Sequence, residues 1–321
     1  MKLRCGENQT GIRLAVVCVY FFCFAEIVTS QVRKTATPGL RTISIVTQPN
    51  ATVWLDGVKY GKTPDDGKLT IATVAPGRRL LRIRADGFRE VTKTILPSQK
   101  GNITVLLTRT TDEAELAYQQ AEALSTSDRE RAVAGYRHAI RLRPGYAEAY
   151  IGLARIYSEA RNRDEAEKAI KEARKIKPRF AEASTIEGRN FKDGGDDDKA
   201  IASFMRAIRE GGGFQPEANT GLGLLYKERA ESDGASGEYE REKANYAEAA
   251  KYFAVAIKQL SGAPDAVVLY QFLGLVYEQQ KKHKEAISVY EEFLRLFPGH
   301  SEAAAIESFI VQLKKQLSEP K

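Results

Sequence analysis

The sequence predicts two folded parts in series, a small antiparallel β-sandwich followed by an all-α solenoid of helical hairpins. Three observations carry this reading. Six short runs of alternating apolar and polar residues crowd into 42–108, divided by Asp56-Gly57, Pro76-Gly77 and Asp86-Gly87. From Asp112 the period lengthens, and alanine recurs at Ala132, Ala166 and Ala200 with spacings of 34 and 34. The charge balance also changes sign, from 14 basic against 5 acidic residues over 31–111 to 32 against 35 beyond.

The first thirty residues stand apart. Lys2, Arg4 and Arg13 precede the unbroken apolar run Leu14 to Ala25, and Val28 to Ser30 supply small residues for a cleavage site. Twelve apolar residues fall short of the roughly 20 needed to span a bilayer. The pattern predicts a signal peptide over 1–30, with an uncleaved membrane anchor as the alternative. All three cysteines, Cys5, Cys18 and Cys23, lie in this leader. A mature chain beginning near Gln31 would therefore lack disulfides, cysteine nucleophiles and thiolate metal ligands. Residues 31–41, with Pro38 and Gly39, read as a linker.

Within 42–109 the predicted strands are Thr42 to Val46, Ala51 to Leu55, Leu69 to Val74, Arg79 to Ala85, Arg89 to Leu96 and Asn102 to Thr108. Asp-Gly between such runs signals a hairpin, because glycine accepts positive φ without a Cβ clash. The stretch PNATVWLDGVKYGKTP (Pro49 to Pro64) carries four turn signals, Tyr60-Gly61 among them. Together with VAPGRRLLRIRADGF (Val74 to Phe88) it resembles the PEGA domain, with Asn50 and Phe88 as departures from that pattern. The resemblance implies a β-sandwich module of bacterial surface and envelope proteins, and it brings no catalytic residues. Arg82 and Arg84 share one strand face by period two, opposite Leu81 and Ile83. With Trp54, the only tryptophan, they make a candidate envelope-contact face. The same pattern also suits a solvated strand and a partly buried ring.

In the second part the alanine series continues at Ala249 and Ala286, and four residues after each member come Tyr136, Ile170, Phe204, Phe253 and Tyr290. Small residues recur in the preceding helices at Ala121, Ala154, Gly188, Gly223 and Gly274. Antiparallel helices approach closely only where small side chains meet, and the aromatic rings then fill the wider gaps. With Pro144, Pro178 and Pro298 ending second helices, the pattern resembles tetratricopeptide repeats. Five repeats are expected over 113–300, with a polar insertion loop at 231–244, then a capping helix and tail at 301–321.

That resemblance implies a protein-binding groove lined by the first helices. Its candidate residues are Arg155, Arg189, Lys192, Lys227 and Gln271, where Arg155 and Arg189 stand one repeat apart and suit an acidic peptide or C-terminal carboxylate. Intrahelical pairing with Glu159 and Asp193 is the competing use of these arginines. No nucleophile elbow, phosphate loop or two-histidine motif occurs, and His138, His283 and His300 are far apart. The acidic run Asp193 to Lys199 lacks the spacing of a calcium loop. No catalytic residues, cofactor or metal are expected. The expected function is a non-catalytic envelope adaptor whose array binds a protein partner. An anionic glycan-binding module with the array as spacer is the alternative. An anionic envelope polymer is a second expected partner, and nucleic acid is not one.

Overall fold

The computed structural model describes residues 41–74 and 77–319; the predicted leader and all but the last residue of the linker lie outside them. Seven strands form two sheets: β1 Arg41–Val46, β2 Thr52–Leu55, β3 Val58–Lys62, β4 Lys68–Val74, β5 Arg79–Arg84, β6 Val91–Ile95 and β7 Gly101–Thr104. One sheet has the order β4-β1-β7 and the other β3-β2-β5-β6. Alternation sends Ile43, Ile45, Val53, Leu55, Leu81, Ile83, Ile95 and Ile103 into the space between them, where all are buried. On edge strand β6, Lys93 lies opposite Leu81 in register yet is exposed, a charge that discourages edge-to-edge pairing.

Three expectations for this part need correction. The sandwich is not wholly antiparallel, because β7 runs parallel to β1, with Ile43 opposite Gly101 and Ile45 opposite Ile103. β6 and β7 belong to different sheets, so the chain crosses over before pairing and no hairpin fixes the direction. Tyr60-Gly61 is not a turn but the middle of β3. Gly61 has φ +137°, and the β2–β3 register shifts there, so this glycine accommodates a bulge. Finally, the run Asn102 to Thr108 leaves the ladder after Thr104. Its alternation persists, with Val105 and Leu107 buried and Leu106 80% exposed, while its end bonds to the β5–β6 connection, Arg89 N–H donating to Thr108 O at 2.9 Å and Thr110 N–H to Gly87 O at 3.0 Å.

The array consists of five helical hairpins: α1 Glu113–Leu124 with α2 Arg129–Leu142, α3 Ala147–Glu159 with α4 Arg163–Ile176, α5 Ala181–Lys192 with α6 Asp197–Glu210, α7 Pro216–Ala235 with α8 Tyr239–Leu260, and α9 Val267–Gln279 with α10 His283–Leu296. Helix α11, Ala303–Ser318, buries Ile306, Ile310 and Leu313 against the last hairpin. At Gly188, Gly223 and Gly274 a Cβ would stand 2.6, 2.6 and 2.1 Å from the rings of Phe204, Phe253 and Tyr290. At these three positions the second helix therefore presses its aromatic side chain onto the first. Several helices start on an acidic or amide cap: Asp112, Asp128, Asn162 and Asp196 each accept from backbone N–H groups of the first turn. The acidic run at Asp193 to Lys199 is thereby used locally. Asp196 caps α6, and Asp197 and Asp198 pair with Arg229 at 2.6 and 3.3 Å.

The polar insertion is not a loop. α7 ends twelve residues past Gly223, whereas α3 ends five past Ala154; α8 begins ten residues before Ala249, whereas α4 begins three before Ala166. Each helix of the fourth hairpin thus runs on by seven residues, and a three-residue turn (236–238) closes it, as 160–162 closes the second hairpin. Seven residues are close to two whole turns, so the buried face keeps its phase and Ala230 and Tyr246 stay in the core.

Candidate functional site: the first-helix face and the strand face beside it

Arg155 on α3 and Arg189 on α5 do lie together, but they do not stand free. Both donate to Glu217 in the first turn of α7: Arg155 Nη1 at 3.1 Å from Oε1, and Arg189 Nη2 to the same oxygen. Three successive first helices thereby share one ion triad, each side chain about a third exposed (37, 30 and 34%). Burial pushes the Glu217 carboxyl up, but the two guanidiniums and their hydrogen bonds outweigh it and hold the group below its usual range. The position favours an anion for a second reason, since the first turn of a helix carries its positive end. Glu217 raises the pKa of Arg155 in return, against the opposing effect of burial.

Further along the same face, Lys192 Nζ lies 2.8 Å from Glu228, and Lys227 Nζ 2.5 Å from Glu231. Their stems are well covered, with 18 and 16% of the side chains exposed, while the partner carboxylates are about half exposed. Gln271 on α9 is half-buried, and Leu275, one turn on, is 39% exposed. The face is therefore a row of alternating cations and carboxylates. Neither Glu159 nor Asp193 takes up Arg155 or Arg189; Glu159 instead lies 3.9 Å from Arg129.

On the β module, Trp54, Arg82 and Arg84 meet on the outer face of the four-stranded sheet. Trp54 is opposite Arg82 in register, and the guanidiniums of Arg82 and Arg84 lie 4.0 and 5.1 Å from its ring centroid. The ring is only 7% exposed beneath them. Arg82 pairs with Glu90 at 3.3 Å. Arg84 reaches Glu90 at 3.7 Å, bonds to Glu122 of α1 and lies 5.3 Å from the Tyr118 ring. Beside it, Gln119 accepts from Gly87 N–H at 3.0 Å and donates to Phe88 O at 2.8 Å, and Glu115 accepts from Glu90 N–H at 3.1 Å. This strand face is thus partly a joint with the first helix of the array.

The carboxylates that organise both sites, Glu217, Glu90 and Glu122, escape a sequence reading. Glu217 is 62 and 28 residues from its two arginines, and no local spacing connects them. The available signal was a carboxylate directly after Pro216 at a helix start. Among the described residues, no group of three or more His, Cys, Asp or Glu is placed to hold a metal ion, and no helix is long and apolar enough to cross a membrane.

Comparison with known proteins agrees with this architecture. The PEGA domain family matches residues 40–111, and tetratricopeptide-repeat families match 123–189 and 235–301. Anaphase-promoting complex subunit 3 of Schizosaccharomyces pombe is 28% identical over 153 residues, 48% of this chain and 20% of that protein. The chain thus spans about a fifth of that relative's length. Yeast Tom70 superposes with a TM-score of 0.51 at 20% identity, covering 64% of this chain and 41% of its own. The MamA protein gives 0.41 at 19% identity, over 59% of this chain and 94% of its own. At such identity the likeness to Tom70 is one of fold alone. Two strand layers closed by Ile and Val, followed by hairpins that meet at glycine and alanine, have one consistent reading: the chain carries a PEGA domain followed by tetratricopeptide repeats.

Proposed function

We propose that this protein is a non-catalytic adaptor of the cell envelope, exported to the periplasm or cell surface, with the repeat array holding a protein partner and the β module fixing its position. The observation that carries the reading is the row of charged side chains along α3, α5 and α7, set on helices whose other faces are consumed by packing. A face of this kind recognises a polar, charged segment of polypeptide rather than an apolar helix. Two guanidiniums share the single Glu217 carboxylate, and a ligand carboxylate would compete with Glu217 for them. An acidic peptide or chain terminus is the matching ligand. The N-terminal pattern of basic residues, apolar run and small residues supports export.

The glycan-binding alternative draws less support, because Trp54 is covered by the two arginines that would flank a sugar, and Arg84 is engaged with the array. The adaptor reading is tested on the full-length chain carrying Lys192→Glu and Lys227→Glu. These changes break the Lys192–Glu228 pair between α5 and α7 and the Lys227–Glu231 pair within α7 but leave the glycine, alanine and aromatic packing of the hairpins in place, so circular dichroism should be unchanged. Partners cross-linked to the wild type in cell-envelope extracts should bind the variant with affinity roughly tenfold weaker or less. Equal capture by both proteins would remove this face from the site.

A further inference from the structure

The β module touches the array at two separated places. One is the α1 joint, next to the covalent connection. The other is the turn after α8, which is distant in sequence and is built as a latch. Ser261 Oγ donates to Thr73 O at 2.6 Å while Thr73 Oγ1 donates back to Ser261 O, a reciprocal pair across 188 residues. Tyr60 OH donates to Leu260 O at 3.1 Å, across 200 residues. Ser261 is held at φ +49°, and at Gly262, φ +78°, a Cβ would stand 2.8 Å from Thr73 Oγ1. Val58 of β3 is buried with the core of the fourth and fifth hairpins rather than with its own sheets. The contact is otherwise small, and each part keeps a core of its own.

Beside the latch, hydrogen bonds tie the end of α8 to the start of α7, which carries Glu217 of the ion triad. Gln259, two residues before Ser261, accepts from Gln215 N–H at 3.1 Å and from Asn219 Nδ2 at 3.2 Å, and donates to Gly213 O at 2.8 Å. These bonds fix the start of α7, the turn that presents Glu217 to Arg155 and Arg189. Stacked helical repeats contact mainly their neighbours, here with the triad reaching from the second hairpin to the fourth, so the curvature of an array is soft unless something ties distant repeats together. Here the latch ties the first hairpin, through the β module, to the end of the fourth.

We infer that the β module is a latched brace: docking at Thr73 and Ser261 is coupled, through Gln259, to Glu217 occupying the Arg155–Arg189 pair, so that opening the latch loosens the triad and releasing the triad loosens the latch. The coupling is reciprocal by linkage and does not depend on what the groove binds. Release at the α8 end, with the α1 joint retained, lets the array change curvature without either part unfolding.

The experiment is hydrogen exchange on the full chain carrying Thr73→Val and Ser261→Gly. Glycine suits the φ of residue 261, so the turn itself is preserved. Amides in 58–62, in 258–266 and in the α7 start at 213–219 should exchange roughly tenfold faster or more, the ratio expected for two lost hydrogen bonds. Those of β1, β5 and α4 should keep their rates. Conversely, Glu217→Gln should accelerate exchange in 258–266. Val58→Thr, nearly isosteric and compatible with a strand, must reproduce the first pattern. Unchanged exchange at 213–219 with the latch broken overturns the coupling. Acceleration spread evenly through both parts overturns the brace, because it would mean one cooperative core.

Discussion

At Glu217 the balance between burial and charge decides the outcome. Desolvation alone would favour the neutral acid, yet two guanidiniums within hydrogen-bonding reach keep the carboxylate ionised. The folded pKa lies below the ordinary 4.5. The stabilisation is therefore fully present above that value and is lost as pH falls through the folded pKa. Water reaches a third of the triad, so its worth is about 1 kcal/mol rather than that of a dry ion pair. Glu217→Gln should cost that amount at pH 7 in denaturant unfolding. The gap between variant and wild type should close as pH falls below 4.5 and through the lower folded pKa; a gap independent of pH would assign the cost to packing. The arginines were legible as a pair from the 34-residue spacing, but their counter-ion was not. It comes from a different repeat and is aimed by the start of α7.

At the scale of elements, the fourth hairpin shows why an insertion can be polar and still be helical. Seven added residues on each side return the helix faces to nearly the same phase, about 20° from perfect register. Composition suggested a loop because the segment contains Gly234 and Gly237 and few apolar residues. The glycine that ends the extension, Gly237 at φ +78°, does serve the turn, but the flanking residues need only one buried stripe. Deleting 229–235 and 239–245 together should leave a hairpin closed by 236–238 that keeps its helical circular dichroism, at a cost below about 2 kcal/mol. Deleting five residues from each side instead rotates each face by about 140° and should abolish folding of the hairpin. Equal stability of the two deletions would show that phase is not what the insertion preserves. In the β module, the missed strand β3 follows the same logic, since Gly61 punctuates like a turn yet sits in a bulge that only the partner strand β2 reveals.

Across the whole molecule, the docked β module joins the first and fourth hairpins, which are not successive in the array. Its far contact carries a titrating group. Burial, aided by Asp56, pushes the Tyr60 phenol up to about 12, although its bond at Ser261 opposes the shift. A pKa raised by folding contributes stability that is complete below the unfolded value of 10 and is lost as pH rises from 10 to 12. Alkaline conditions in that window should release the latch. In Tyr60→Phe, exchange of 258–266 should begin faster at pH 8 and rise less steeply through the alkaline range than in the wild type. A parallel rise in both proteins would place the sensitivity at other buried tyrosines such as Tyr118 and Tyr136, which burial also raises.

What the sequence by itself determined is what periodicity and turn chemistry can encode. Alternation of Ile43 with Ile45 and of Leu81 with Ile83 defines strands, and the spacing of Ala132, Ala166 and Ala200 defines hairpins and their aromatic partners. Each is a relation among residues at most a few dozen positions apart, imposed by the geometry of one element or one repeat. Only the tertiary structure decided that β7 runs parallel to β1, that Glu217 fills the arginine pair, and that Thr73 meets Ser261. Those relations depend on how sheets cross and how repeats curve. Small rotations at each hairpin accumulate along the chain, and no pattern within a single element records their sum.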